Sequence, residues 1–321
     1  MKYADMHCDS ITVLYEKNDS LLSNDLHNDL NKMKKGECLL QNFAIFTDIS
    51  KQDSTFTKAA IDYYYRQLKE NDTLIKPVYR FKDIEENEKQ GCISAMLTLE
   101  EGSVIDNDLN NLDYYYDAGV RMITLTWNYY NGIGYPNFTY RKDSYADRLH
   151  TINEKDGLTE FGIEYITKME DLGIIIDVSH LSDAGFYDVL KYSHKPFVAS
   201  HSNARSICSV ARNLSDDMIK KLSDRGGITG LNYCSSFIDN DDKRFTTIEG
   251  MVKMIRYLVD KGGIDFVGLG SDFDGISNDL EIKDASGMVK LYEALKPYFS
   301  DEEIEKIFYK NVLRVYGEVL K

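Results

Sequence analysis

Eight short apolar runs, each followed by a stretch of helical periodicity, limit what this chain can fold into. They are Tyr3 to Ile11, Leu39 to Ile49, Gly91 to Glu100, Val120 to Asn128, Gly173 to His180, Pro196 to Ser202, Gly226 to Tyr233 and Ile264 to Gly275. Most are near-continuous rather than alternating, as strands covered on both faces require. Amphipathic segments such as Phe161 to Leu172, Gly185 to Tyr192, Met218 to Leu222 and Ile248 to Leu258 separate them. Thr246 with Glu249 and Ser300 with Glu303 have capping-box spacing. Gly173, Gly226 and Gly262 stand where a helix must stop before the next strand.

Eight such alternations predict a (β/α)8 barrel, with a doubly wound open sheet as the second choice. No Pro/Ser/Gly-rich linker interrupts the chain, so residues 1–321 read as one domain. No run of about 18 apolar residues is present, and the N-terminus enters a strand with Asp5 in it. Neither a membrane span nor a signal peptide is expected, and the chain reads as cytoplasmic. The five cysteines are scattered and lack CxxC spacing, which favours free thiols. A net charge of −15 argues against nucleic acid as a partner, since phosphate binding needs clustered Lys and Arg.

A parallel barrel gathers the C-terminal ends of its strands into one mouth. In these runs those ends carry His7 and Asp9, Glu100, His180, His201, and Asp272 with Asp274. His7 and Asp9 are two apart, so on an extended strand both would face one side and could grip one cation. Imidazoles with carboxylates suit zinc or another divalent transition metal. Five ligands exceed one catalytic site's usual three, and two ions sharing a bridging carboxylate fit better. A hydroxide between two such ions would be a nucleophile at neutral pH, so no protein nucleophile is needed.

The blocks Asp5-x-His7-x-Asp9, Leu99-Glu100-Glu101-Gly102, Gly157 to Gly162, Ile176-Asp177-Val178-Ser179-His180, Ala199-Ser200-His201-Ser202-Asn203, Ala211-Arg212-Asn213, Gly270 to Gly275 and Asn311 to Val315 occur in this order across nearly the whole chain. Together they resemble the membrane dipeptidase (renal dipeptidase) family of zinc metallopeptidases, in a soluble, bacterial-type form. The resemblance implies a (β/α)8 barrel that cleaves free dipeptides with two Zn²⁺ per chain. His7 and Asp9 would hold one ion, His180 and His201 the other, and Glu100 would bridge them. Arg212 would bind the substrate's terminal carboxylate. Asp272 would contact the amino group and shuttle the proton, and a homodimer is a common family state.

One departure stands out. Where animal members carry a histidine after Leu-Thr on the fourth strand, this chain has Leu125-Thr126-Trp127-Asn128, with its single tryptophan at Trp127. Indole donates one hydrogen bond but cannot shuttle a proton, so Trp127 reads equally as a wall of the substrate pocket or as packing. Asp177, His27, His150 and His194 are given no part in the chemistry, and Arg205 is a weaker clamp than Arg212. Two other functions stay open: a binuclear barrel hydrolase acting on a lactone, phosphoester or cyclic amide, and a non-catalytic, metal-stabilised binding protein.

Overall fold

A computed structural model describes residues 1–138, 149–241 and 243–321. Eight parallel strands close into a barrel: β1 (Tyr3–Asp5), β2 (Cys38–Phe46), β3 (Ile93–Glu100), β4 (Val120–Thr124), β5 (Ile175–Asp177), β6 (Val198–Ala199), β7 (Ile228–Leu231) and β8 (Val267–Leu269). Each pairs with the next, and Asp5 opposite Leu269 closes the ring. The eight apolar runs are these eight strands, and closure removes the open-sheet alternative. A short extra strand, Ile75–Pro77, lies beside the start of β3. Phe245–Thr246 and Asp279–Leu280 pair as a small separate sheet formed by the loops after β7 and β8.

The strand sequences alternate between two apolar clusters. Ala4, Met96, Met122, Ile175, Val198 and Ile228 belong to a smaller cluster inside the barrel. Their neighbours Tyr3, Leu97, Ile123, Ile176 and Ala199 join the larger cluster beneath the surrounding helices. That is the period of two expected of strands, with both faces buried. The C-terminal helix Asn311–Val319 contributes Val312, Val315, Tyr316 and Val319 to the inner cluster. It is fixed by polar bonds as well: the Asn42 Nδ2 amide lies 2.6 Å from the Tyr316 hydroxyl, and Asn311 Nδ2 donates to the carbonyls of Ile264 and Val267.

Two residues further along the same inward rows, the chemistry changes. Met96 is followed by Thr98 and Glu100, Met122 by Thr124, Ile175 by Asp177 and Val198 by Ser200. All are buried. The barrel is therefore apolar in its lower half and polar toward the C-terminal mouth.

The local signals are partly shifted from expectation. Ser300 and Glu303 form the capping box, and Gly173 ends the helix Glu160–Leu172 with φ 87°. The cap of Ile248–Gly262 is Thr247, which accepts from Gly250 N, and not Thr246, whose hydroxyl donates to the Tyr233 carbonyl. That helix stops at Gly263, φ 84°, one residue beyond Gly262. Among the described residues no disulfide is formed. Among the described residues no helix is long and apolar enough to cross a membrane.

Candidate metal centre and active site

β1 ends at Asp5, so His7 and Asp9 are not on an extended strand. The chain bends after a single bridge between Cys8 and Phe273, and Asp9 is the residue before the helix Ser10–Lys17, with φ −98° and ψ 7°. This corrects the same-face argument while keeping its result. His7 Nε2 lies 3.5 Å from Asp9 Oδ2. The bend is held from below by Asp5, whose carboxylate accepts from His7 N, Ser271 N and Ser271 Oγ.

Glu100, the last residue of β3, has its two oxygens turned to different partners. Oε2 lies 3.4 Å from His7 Nε2, while Oε1 lies 3.1 Å from His180 Nε2 and 3.7 Å from His201 Nε2. The His180 and His201 Nε2 atoms are 3.1 Å apart, and the His7 and His201 rings stack at 3.8 Å. Five residues from four strand ends thus form one buried cluster with two halves. Asp272 joins its edge: ligand atoms of His7, Asp9 and Asp272 all lie within 4.8 Å of one another.

The donor set fits divalent cations. Among the described residues His7 Nδ1 and Nε2 and Asp9 Oδ1 are buried without a hydrogen-bond partner, which is costly unless a ligand satisfies them. Electrostatics divide the cluster. Burial, reinforced by the Glu100 charge, pushes the Asp9 carboxyl up to about 8. Burial, with Glu100 adding, pushes Asp272 up to about 6. Burial opposes the Glu100 charge as well, but His7 and His180 overcome it and hold that carboxyl below its ordinary range. Burial and then Arg212 push His180 down to about 4, and His201 falls well below its usual value through burial and the charge of His7. His7 moves the other way, because Glu100 and Asp9 outweigh its burial. Neutral His180 and His201 beside an ionised Glu100 are the protonation states that metal ligation needs, whereas His7 and Asp9 would have to release protons to an incoming cation.

Backbone strain gathers around this cluster. His180 (φ 69°), Asp272 (φ 61°), Asp274 (φ 70°) and Glu101 (φ 108°) all occupy positive φ without being glycine, at a cost of order 1–3 kcal/mol each. Close approach also explains Gly275, where a Cβ would collide with the carboxylates of Asp9 and Asp272.

Beside the cluster opens a cavity of about 630 Å³. Asp9, Glu100, His180 and Asp272 reach it from the centre, and Phe46 and Trp127 form an aromatic wall. Trp127 meets Phe46 edge to face at 4.7 Å and lies 6.3 Å from the His180 ring. Arg212 is 5 % exposed and sits one layer back, 5.8 Å from the ring of Phe237, which does line the cavity. Its Nη1 donates to Ser202 Oγ and its Nη2 to the His201 carbonyl, while Nε is buried without a partner. Arg205 is committed elsewhere, to both oxygens of Asp183. Asp274 is also occupied, accepting from Ser10 Oγ and His27 N. His194 precedes β6 at the opposite end of the barrel, and His150 is exposed with its Nδ1 at the Ser209 carbonyl.

Sequence reasoning passed over several supporting residues. Asn128 Oδ1 lies 2.9 Å from His180 Nδ1, and Ser200 Oγ lies 2.7 Å from His201 Nδ1. Asn232 Nδ2 donates to Asp272 Oδ2 at 2.9 Å and to the His201 carbonyl. The available signal was position: each is a small polar residue at or just beyond a strand end.

The family model for membrane dipeptidase (peptidase family M19) matches residues 1–321. The chain belongs to this family. It is by class a metallo-dipeptidase with a (β/α)8 barrel. It is 33 % identical over 240 residues to an uncharacterised protein in the pqqA 5′ region of Klebsiella pneumoniae, covering 74 % of this chain and 86 % of that one. It is 29 % identical over 314 residues to an uncharacterised dipeptidase of Schizosaccharomyces pombe, covering 90 % and 71 %. Among solved structures it superposes with a TM-score of 0.90 on a metallo peptidase from Rhodobacter sphaeroides that holds a phosphinate mimic of L-Ala-D-Ala. That match has 24 % identity and covers 99 % of each chain.

Proposed function

We propose that this dipeptidase works on free dipeptides with two divalent ions, zinc being the natural choice. His7 and Asp9 would hold one, His180 and His201 the other, and Glu100 would bridge them. The observation that carries this reading is the division of the Glu100 carboxylate, one oxygen toward each half. When bound, such a pair supplies a water acidic enough to attack near neutral pH and polarises the peptide carbonyl.

The chain's own residues do the rest. Asp272, anchored through one oxygen by Asn232, faces the cavity beside Asp9. There it can bind the substrate ammonium, take a proton from the attacking water and return it to the leaving amine. Arg212 is the cation for the terminal carboxylate, with Nε–H uncommitted. A guanidinium holds a carboxylate with two parallel bonds, and a longer peptide would leave that buried charge unpaired. Phe46 and Trp127 form the wall against which a substrate side chain packs. Action in the cytoplasm is the reading taken from the scattered cysteines, and the family resemblance favours a homodimer.

Elemental analysis of the purified protein should give about two divalent ions per chain, and a substrate panel should show cleavage of free dipeptides. One ion, or none after zinc reconstitution, would end the binuclear reading. Turnover of lactones or phosphoesters with no dipeptide cleavage would replace the substrate.

A further inference from the structure

The two halves of the cluster differ in what stands behind their ligands. Behind His201 is a relay. Ser200 Oγ has a single hydrogen, and at 2.5 Å it donates that hydrogen to Asp177 Oδ2. Three further donors converge on the same carboxylate: Thr124 Oγ1 at 2.6 Å, Ser200 N at 2.8 Å and Ser179 N at 2.9 Å. With its hydrogen committed, Ser200 Oγ meets His201 Nδ1, at 2.7 Å, as an acceptor. The imidazole proton is thereby placed on Nδ1, and the Nε2 lone pair is left facing Glu100. Asn128 Oδ1 does the same for His180, taking its Nδ1–H at 2.9 Å. Asp177 and Ser200 are wholly buried, so the relay is shielded from competing water.

Among the described residues nothing comparable stands behind the other half. His7 is held through its backbone N–H by Asp5 and by stacking on His201. Among the described residues its ring nitrogens have no hydrogen-bond partner, and neither has Asp9 Oδ1. Neither tautomer nor ring angle is fixed by a bond.

We propose that Asp177 acting through Ser200, together with Asn128, positions His201 and His180 so that their half binds a divalent ion tightly, while the His7 and Asp9 half binds its ion more loosely and exchanges it. The proposal rests on the binuclear reading above and adds an order of filling. Orienting partners of ligand histidines are typically worth about 10–100-fold in metal affinity.

The test is titration of the chelator-stripped protein with Zn²⁺, and with Co²⁺ for its visible absorption. The wild type should bind in two resolved steps. His7→Ala should keep the tight step and lose the loose one. Ser200→Ala and Asn128→Ala should each weaken the tight step about 10–100-fold, with an unchanged unfolding midpoint in the metal-free form. Asn128→Asp, which keeps an acceptor oxygen, should restore it. Two equal steps in the wild type would overturn the inference while leaving the binuclear reading intact. So would a Ser200→Ala protein with both affinities unchanged, or losses shared equally by both steps with a lowered metal-free midpoint. A protein that binds no divalent ion would overturn both.

Discussion

The lower half of the barrel and its mouth are built from the same strands but obey different rules. Below, the inward positions are Ala4, Met96, Met122, Ile175, Val198 and Ile228, packed against the C-terminal helix as a closed apolar core. Above, the same rows continue into Thr98, Glu100, Thr124, Asp177 and Ser200. Donors there lack partners, carboxylates crowd together, and four residues that are not glycine sit at positive φ. The lower half is closed by its own packing, whereas the mouth holds backbone strain and crowded carboxylates that a bound cation would relieve. The boundary falls within single strands, at one inward step, so the two functions can be disturbed separately.

The largest expected effect is in the mouth. Asp272→Asn keeps the side-chain shape and the bond from Asn232 but can neither take a proton nor offset an ammonium. Its kcat/KM for free dipeptides should fall by about 10²–10⁴, the range for a lost general acid–base group. Metal content and the unfolding midpoint should stay near wild type. A metal-depleted variant would assign Asp272 to ion binding, and nearly full activity would move the role to Asp274.

The opposite result is expected below. Met122 is 1 % exposed at the centre of the inner cluster, and Met122→Ala should cost about 2–5 kcal/mol of folding stability. Denaturant titration reads that loss. At a temperature where the variant stays folded, kcat/KM and ion content per folded chain should match the wild type. A parallel loss of activity would show that the mouth depends on packing one layer below, and the partition argued above would fail.

How much of this was legible beforehand follows the same boundary. The eight strands could be read because continuous apolar runs on a period of two leave little else for the chain to form. The cluster at the mouth could be read because His and Glu at strand ends are chemically conspicuous. The bend that replaces an extended strand at His7 and Asp9 could not, because it depends on Cys8 meeting Phe273 from the far end of the chain. Asp177, read as structural, has its carboxylate taken up by Thr124, Ser179 and Ser200. Its link to His201 runs through Ser200, an ordinary residue whose importance lies only in where one hydrogen goes. Asn128 and Asn232 were hidden for the same reason. Thr247 and Gly263 lie one residue from the expected cap and stop, a margin that local patterns do not resolve.

The smallest effect should come from Arg212, and it sharpens the comparison because this residue belongs to both regimes. It is buried like a core residue, with one donor each of Nη1 and Nη2 given to Ser202 and His201, yet among the described residues its Nε–H has no partner, and two of its five N–H donors are used in all. If it clamps the substrate carboxylate, Arg212→Lys preserves the charge but loses the two-pronged geometry. A charge-assisted hydrogen bond is worth about 1.5–3 kcal/mol, so kcat/KM for free dipeptides should fall about 10- to 150-fold. Substrates with an amidated C-terminus present no carboxylate, so the wild type should cleave them poorly and the variant should cleave them no worse. The diagnostic quantity is the ratio of free to amidated kcat/KM, which should be large in the wild type and collapse in the variant. A merely structural Arg212 would lower both numbers together and leave the ratio in place. Equal cleavage of free and amidated dipeptides by the wild type would remove Arg212 from the substrate and return it to the core, where Ser202, the His201 carbonyl and the ring of Phe237 already hold it.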